Sequence, residues 1–539
     1  MIDRLRSLYE NGITIPVVNN IPQQALKDIR GSLRQGGAGS MEWFAFGIDP
    51  LLIFLERNLS GIPVSSLQVE GPANEGKSYP LPPLVEKFKV MAFCDDVKPA
   101  ICNIEEFCVA DQGAALFERA AGTKLHRDPS SNKCKFLPLG KWRGTLKQED
   151  IPTPYMRLTD TLDMVGVQLC STWTSSRRKN GEILQQRINQ LSRTWKSGKF
   201  MPLSLRPFSA NSFALSKVWF RCSTVNLRET DIATINSSLK KWLYADLLLK
   251  PEEDLLFRPT NCGGLGLMSV KLKASAFLVR TFLEMAVNSK YIQSQFLNSI
   301  YRVHILEEEI SCPTLPPYYN TAFINMIKEA KNEGKDIISM STRQWYYYFL
   351  DKNVLNVSGV DGQKEKVLCR IERKFPDYDW ISTWETLRLP FIPSRIISFL
   401  WKLNHDLLTT EERVHTTLGN IPDVCRYGCI ENPVANQVHC FFNCLLTHEL
   451  GQWLLKTVRT FGPATESDVL RLNVQNNHAL VWLIAGTLYY CWTKRVSRNV
   501  ADPPGFKAHV EAELMLMMET RYSQLAEDIK GILRQSPFS

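Results

Sequence analysis

The chain has no apolar run of about eighteen residues, the length that argues for a membrane-spanning helix. Its most apolar stretch, "ALVWLIAGTLYYCW" (Ala479–Trp492), is too short and too aromatic for a span and reads as a buried helix. The fourteen cysteines in 539 residues form no dense framework, which argues against a small disulfide scaffold. The opening "MIDRLRSLYENG" is polar and mixed in charge, with no apolar signal-peptide core. A reduced intracellular compartment, cytoplasm or nucleus, is therefore expected, and clustered cysteines are read as metal ligands or core residues. No internal repeat and no low-complexity tract is visible, so solenoid and compositionally biased readings fall away. Neither sign of charge dominates: a net +9 permits a polyanionic partner without demanding one. A hydrophobic share of 44% is enough for several cores.

What is present begins with "GSLRQGGAGS" (Gly31–Ser40), a glycine-rich loop whose Ser40 can cap a helix through "MEWFAFGIDPLLIFLERN". Pro50 is expected to kink or split that helix. A Gly/Pro/Ser-rich loop (Gly61–Pro83) leads to "EKFKVMAF", which reads as a strand. Ala110–Ala121 reads as a helix. The basic segment Ser175–Phe200 places Leu184, Ile188, Leu191 and Trp195 on one helical face. Ser212–Met285 looks mainly helical, interrupted by a turn at "CGGLGL" (Cys262–Leu267). Ser311–Lys366 holds a connector with one or two helices. Beyond Trp380, clustered Cys and His appear, and the end from Phe506 is an acidic amphipathic helix.

Two groups of residues carry chemistry. In "VMAFCDDVK" (Val90–Lys98), the adjacent Asp95 and Asp96 follow an apolar strand. They form either a solvated turn or a divalent-metal site, since a hard cation such as Mg²⁺ removes the repulsion between neighbouring carboxylates. In "CRYGCIENPVANQVHCFFNC" (Cys425–Cys444), Cys425, Cys429, His439 and Cys444 have the spacing C-x3-C-x9-H-x4-C. Two close pairs of soft ligands suit tetrahedral Zn²⁺; the plainer reading is four unrelated residues near a core. Cys440 is a rival ligand, and His405 reads as a packed or surface histidine.

Four segments in order resemble the later palm motifs of reverse transcriptases from non-LTR (LINE-like) retrotransposons. They are "RQGGAGS" (Arg34–Ser40), "FCDD" (Phe93–Asp96), "AAGTKLHRDPSSNKCKF" (Ala120–Phe136) and "MVGVQL" (Met164–Leu169). The resemblance implies an α+β fold with a partial right-hand polymerase palm, an antiparallel sheet with helices. A helical thumb and a small zinc-binding helical domain would follow. By that resemblance Arg34, Gln35, Gly36, Ser40 and Phe93 contact template and incoming nucleotide. Asp95 and Asp96 hold Mg²⁺ (or Mn²⁺) for two-metal nucleotidyl transfer, and Lys133 donates a proton to the leaving pyrophosphate. Glycines at Gly36, Gly37 and Gly39 would let backbone approach the nucleotide. The implied partners are an RNA template, a DNA primer and deoxynucleotides, with no membrane.

The implied segments are a partial palm (1–172), a helical thumb-like region (173–300), a connector (301–375), a zinc-binding domain (376–500) and a C-terminal helix (501–539). "SFALSKVWFRCSTVNLRETDIATINSSLKKWLYAD" (Ser212–Asp246) and the "GGLGL" that follows resemble the family's thumb. "WISTWETLRLPFIPSRIISFLWKLNHDLLTTEERV" (Trp380–Val414) resembles its zinc-binding domain. The family's third carboxylate, on an earlier palm strand, has no match: only Asp3 and Asp28 precede the glycine-rich loop. Ile2–Asn20 resembles the segment downstream of that strand, so Met1 is expected to fall inside the polymerase domain. A chain with little polymerase activity of its own is expected, the alternative being a non-catalytic nucleic-acid-binding remnant. A third reading, a protein-interaction module, rests on the acidic tail. No endonuclease pattern is visible.

Overall fold

The computed structural model describes residues 17–18, 21–22, 40–63, 87–93, 96–121, 133–194, 201–245, 247–288, 294–308, 319, 321–358, 364–366, 369–419, 421–474 and 477–535. The fold is mixed α+β and mostly helical, and every sheet among the described residues has two strands. Among the same residues no helix is long and apolar enough to cross a membrane. The chain forms two compact units, each discontinuous: Met1–Lys179 with Thr281–Ile338, and Asn180–Arg280 with Ser339–Ser539.

In the first unit, α1 (Ser40–Asn58) runs through Pro50 as one helix rather than two. Proline removes one backbone bond and strains a turn. Burial of Ile48 and Leu55 on either side offsets that loss. Hairpin strands β1 (Val90–Phe93) and β2 (Asp96–Pro99) pair antiparallel in the register Val90↔Pro99 to Phe93↔Asp96. Helix α2 (Glu105–Ala121) starts five residues earlier than its apolar pattern suggests. The reason is a capping box: Asn103 Oδ1 accepts from the Glu106 amide at 3.0 Å, and the Glu106 carboxylate accepts from the backbone of Cys102 and Ser60. Helices α1 and α2 pack together where Gly113 makes room for the Phe54 ring, 2.5 Å from where a Cβ would stand. Phe107 of α2 meets Phe136 edge-on at 4.9 Å.

A second hairpin joins β3 (Thr161–Met164) to β4 (Val167–Cys170) through Val165 and Gly166, both with positive φ (51° and 81°). That is the two-residue turn whose twist matches the strands. Helix α3 (Trp173–Thr194) follows. The later part of this unit adds helices Ser294–His304 and Thr321–Asn332, with Phe282, Tyr319 and Phe323 clustered between 4.9 and 5.4 Å.

The second unit contains the larger core. Leu184 and Ile188 of α3 are buried as their spacing implies, and Leu191 packs against them; Trp195 lies outside the described residues. Helix α4 (Glu229–Leu243) meets α3 at Gly181, where a Cβ would stand 2.3 Å from the Asp231 carboxylate. That buried carboxylate is held by Arg228 at 2.7 Å and by Gln185 at 2.8 Å. The "GGLG" segment turns as expected, and it is also a packing joint. Gly263 (φ +76°) follows a 3₁₀ turn, and its carbonyl accepts from Trp401 Nε1 at 2.9 Å and bonds His405 Nε2 at 2.7 Å.

Helices α5 (Ser394–Asn404), α6 (His448–Arg459) and α7 (His478–Val496) complete the centre. The apolar run Ala479–Leu488 is buried on every face, and α5 and α6 pack on it. The acidic end forms two helices rather than one, α8 (Pro503–Met518) and α9 (Ser523–Arg534), each burying an apolar stripe.

Candidate metal centre

The clustered Cys and His meet in the second unit. The backbone around Cys425 doubles back: its amide donates to Pro433 O at 2.9 Å, and Val424 bridges Val434. Positive φ at Gly428, Glu431 and Asn432 closes the loop, bringing Cys429 beside Cys425. His439 opens a π-helical turn, His439–Asn443, and Cys444 caps it with its amide on His439 O at 2.7 Å. That turn is pressed against α6 so closely that a Cβ on Gly451 would stand 2.1 Å from Phe441 O.

One ligand atom from each of Cys425, Cys429, His439 and Cys444 lies within 4.8 Å of all the others. The Cys425–Cys444 and Cys429–Cys444 sulfurs are 3.8 and 3.9 Å apart. That is far beyond a disulfide bond of about 2.05 Å. It matches the spacing of about 3.8 Å that tetrahedral Zn–S bonds of about 2.3 Å impose. His439 Nε2 is buried with no hydrogen-bond partner, an orphan that a metal ion would satisfy. The His439 backbone is fixed by Asn436 Oδ1 at 2.8 Å, and the Leu445 amide donates to Cys429 Sγ at 3.3 Å.

Electrostatics agree with a cation. Burial pushes the Cys425 thiol up to about 12, and charge on Cys444 and Cys429 adds to the rise. Thiolates gathered this closely repel one another, and a positive ion among them removes that repulsion. Burial, then the Arg495 guanidinium, holds His439 below the usual imidazole range, keeping it neutral as a ligand must be. The donor set could hold a metal such as zinc. With four protein ligands and no open position, such a centre is structural rather than catalytic.

Cys440 is settled against its role as rival: its sulfur is buried and directed to Ala435 O at 3.7 Å. His405 is also no ligand, being buried and stacked on Trp384 at 4.8 Å. Sequence reasoning missed the charges around the cluster. Buried Arg495 bonds Glu411 at 2.8 Å and lies 4.6 Å over the Tyr427 ring, while Arg426 reaches Glu411 at 3.0 Å. An arginine ending an otherwise apolar helix was the available signal.

Of the polymerase-type residues, Arg34, Gln35, Gly36 and Asp95 lie outside the described residues. Ser40 is the first residue of α1. Phe93 and Asp96 are paired across the β1–β2 hairpin, so the second carboxylate begins the return strand. Lys133 is exposed, two residues before the short strand Lys135–Phe136. No protein-family model matches the chain, and no curated protein matches it at a significant level.

Proposed function

We propose that this chain is a protein of the reverse-transcriptase type that grips an RNA template paired with a DNA primer, its second unit set by one structural Zn²⁺. The single observation that carries the reading is the β1–β2 hairpin. In its register Phe93 stands opposite Asp96, at the place where the resemblance puts the family's metal-holding aspartates. The β3–β4 hairpin falls where the family resemblance places its primer-holding hairpin, and the four-ligand cluster falls where the resemblance places its zinc domain. On this reading the first unit contains palm elements and the second contains thumb and zinc-binding elements.

Asp95 and Asp96 would hold Mg²⁺, and Arg34, Gln35, Gly36 and Ser40 would face template and nucleotide. The third carboxylate of two-metal transfer has no match in the sequence, so duplex binding rather than synthesis is assigned to these 539 residues. The test compares the chain with its Asp95→Ala, Asp96→Ala variant, with Mg²⁺ or Mn²⁺ present. Affinity for an RNA–DNA duplex should stay within about twofold, because phosphate contacts dominate affinity. Template-dependent extension should sit at background in both. Ordinary extension by the parent chain, lost in the variant, would replace the binding reading with an active polymerase. Absence of duplex binding in both would sink the proposal.

A further inference from the structure

The loop that brings Cys425 and Cys429 together is gripped by a buried charge pair from two helices. Arg495 stands in the last turn of α7, its side chain 1% exposed, and bonds Glu411 Oε2 at 2.8 Å. Glu411 opens the helix Glu411–Leu418 and is itself buried. Three residues separate the two cysteines, and two of them meet this pair. The Arg495 guanidinium lies 4.6 Å over the Tyr427 ring. Arg426 reaches Glu411 Oε1 at 3.0 Å, by charge rather than by an aligned hydrogen bond. The third, Gly428, supplies a positive φ of 76° that helps to close the loop. Arg495 Nε is buried with no hydrogen-bond partner, so Glu411 alone does not satisfy the guanidinium.

Helix dipoles explain part of this. A cation in the last turn of α7 and a carboxylate in the first turn of Glu411–Leu418 each offset a dipole, and each neutralises the other. Dipoles leave the Tyr427 stack and the second arginine on the same carboxylate unexplained. Three thiolates and a neutral imidazole around a divalent ion carry one net negative charge. Two arginines against one carboxylate carry one net positive charge. Buried charge is costly unless it is paired, and these two sets balance when the metal and its thiolates are in place.

We propose that Arg495 is the positioning residue of the metal centre: it holds the Cys425–Cys429 loop closed through Tyr427 and supplies counter-charge for the thiolates. It touches no metal and acts through the loop that bears two ligands and through its field. Partners one layer outside a metal's ligands typically change its affinity by about ten- to a hundredfold. The inference rests on the structural Zn²⁺ and is independent of duplex binding.

The experiment uses the full chain and three variants. Arg495→Met removes the cation while Arg426 still serves Glu411, Arg495→Lys keeps the charge, and Tyr427→Leu removes the ring and keeps both ion pairs. Zn²⁺ affinity is read by competition with a chromophoric chelator, and the sulfur-to-metal charge-transfer band is read on the Co²⁺-loaded chain. Arg495→Met should weaken Zn²⁺ about tenfold or more. It should also move the band to lower energy, because the sulfur electrons lose a nearby positive charge. Arg495→Lys should leave the band where the parent has it. Tyr427→Leu, which tests the same grip should Arg495→Met fail to fold, should weaken Zn²⁺ by a smaller factor. Zn²⁺ affinity within about twofold of the parent in every variant that folds overturns the inference. Weaker Zn²⁺ with an unmoved band in Arg495→Met overturns it too, since that is loss of packing alone. A parent chain that binds neither ion removes the metal centre itself, and the inference with it; a parent that binds Zn²⁺ beside unchanged variants removes the inference only.

Discussion

Two buried imidazoles of the second unit differ in what they do. His439 lies in one cluster with three sulfurs and has a buried Nε2 with no hydrogen-bond partner, whereas His405 spends its Nε2 on the Gly263 carbonyl and its ring face on Trp384. Burial pushes His405 down to about 4 from an ordinary 6.5, so the folded chain refuses a proton that the unfolded chain takes up. Its contribution is full above the unfolded value and is lost as pH falls from about 6.5 towards 4. His405→Gln keeps a donor for Gly263 and removes the titration. Melting curves at pH 7 and 5 should show the parent losing on the order of 1–2 kcal/mol more than the variant. Equal acid sensitivity would contradict a neutral buried His405. At the metal cluster, Cys444→Ser removes the sulfur within 4 Å of both other cysteines. Elemental mass spectrometry should find one zinc per parent chain and well under half in the variant, with a loss of several kcal/mol in the second unit's stability. Under half a zinc per parent chain would refute the centre.

At the scale of elements, the turn between β3 and β4 contains a visible misfit. Val165 is β-branched and sits at φ 51°, half exposed, where asparagine is at home. Val165→Asn should stabilise the first unit by about 1 kcal/mol in denaturant titration; a destabilised variant would mean the Val165 side chain makes a contact that outweighs the strain. The glycines of "GGLG" should differ sharply. A Cβ on Gly264 would stand 2.0 Å from the Arg258 carbonyl oxygen, whereas one on Gly266 meets only Thr260 Cγ2 at 3.3 Å. Gly264→Ala should therefore cost at least about 2 kcal/mol more than Gly266→Ala, despite the positive φ of the latter. Similar costs would argue that Arg258 shifts aside.

Elements were legible where periodicity is local. Leu184 and Ile188 lie on the buried side their spacing gives, Ala479–Leu488 is the buried helix its composition implies, and the C-x3-C-x9-H-x4-C spacing closes into one cluster. What local patterns could not supply is side-chain burial decided by distant partners. Glu106 in the first turn of α2 also holds the distant Ser60 amide, and the buried Asp231 is met by Gly181 and Gln185 of α3. Two helices stand at the C-terminus where one amphipathic pattern was visible, since the pattern shows a stripe and not where it breaks.

For the whole molecule, the division into units is set by contacts between segments far apart in the chain. Asn180–Arg280 folds with Ser339–Ser539, joined by the buried Arg258–Glu372 pair at 3.5 Å and by Trp401 and His405 on Gly263. No local pattern encodes such pairings. The molecule's formal +9 and the basic α3 give it the charge for a polyanion, and phosphate contacts would appear as salt dependence. The most direct measurement is anisotropy of a labelled RNA–DNA duplex titrated with the full chain from about 50 to 200 mM salt. The expected result is saturable binding whose affinity falls steeply, by about 0.9 in log–log slope for each phosphate contacted, with a total slope of several. Binding that is absent, or flat across that salt range, would contradict a protein that grips template and primer.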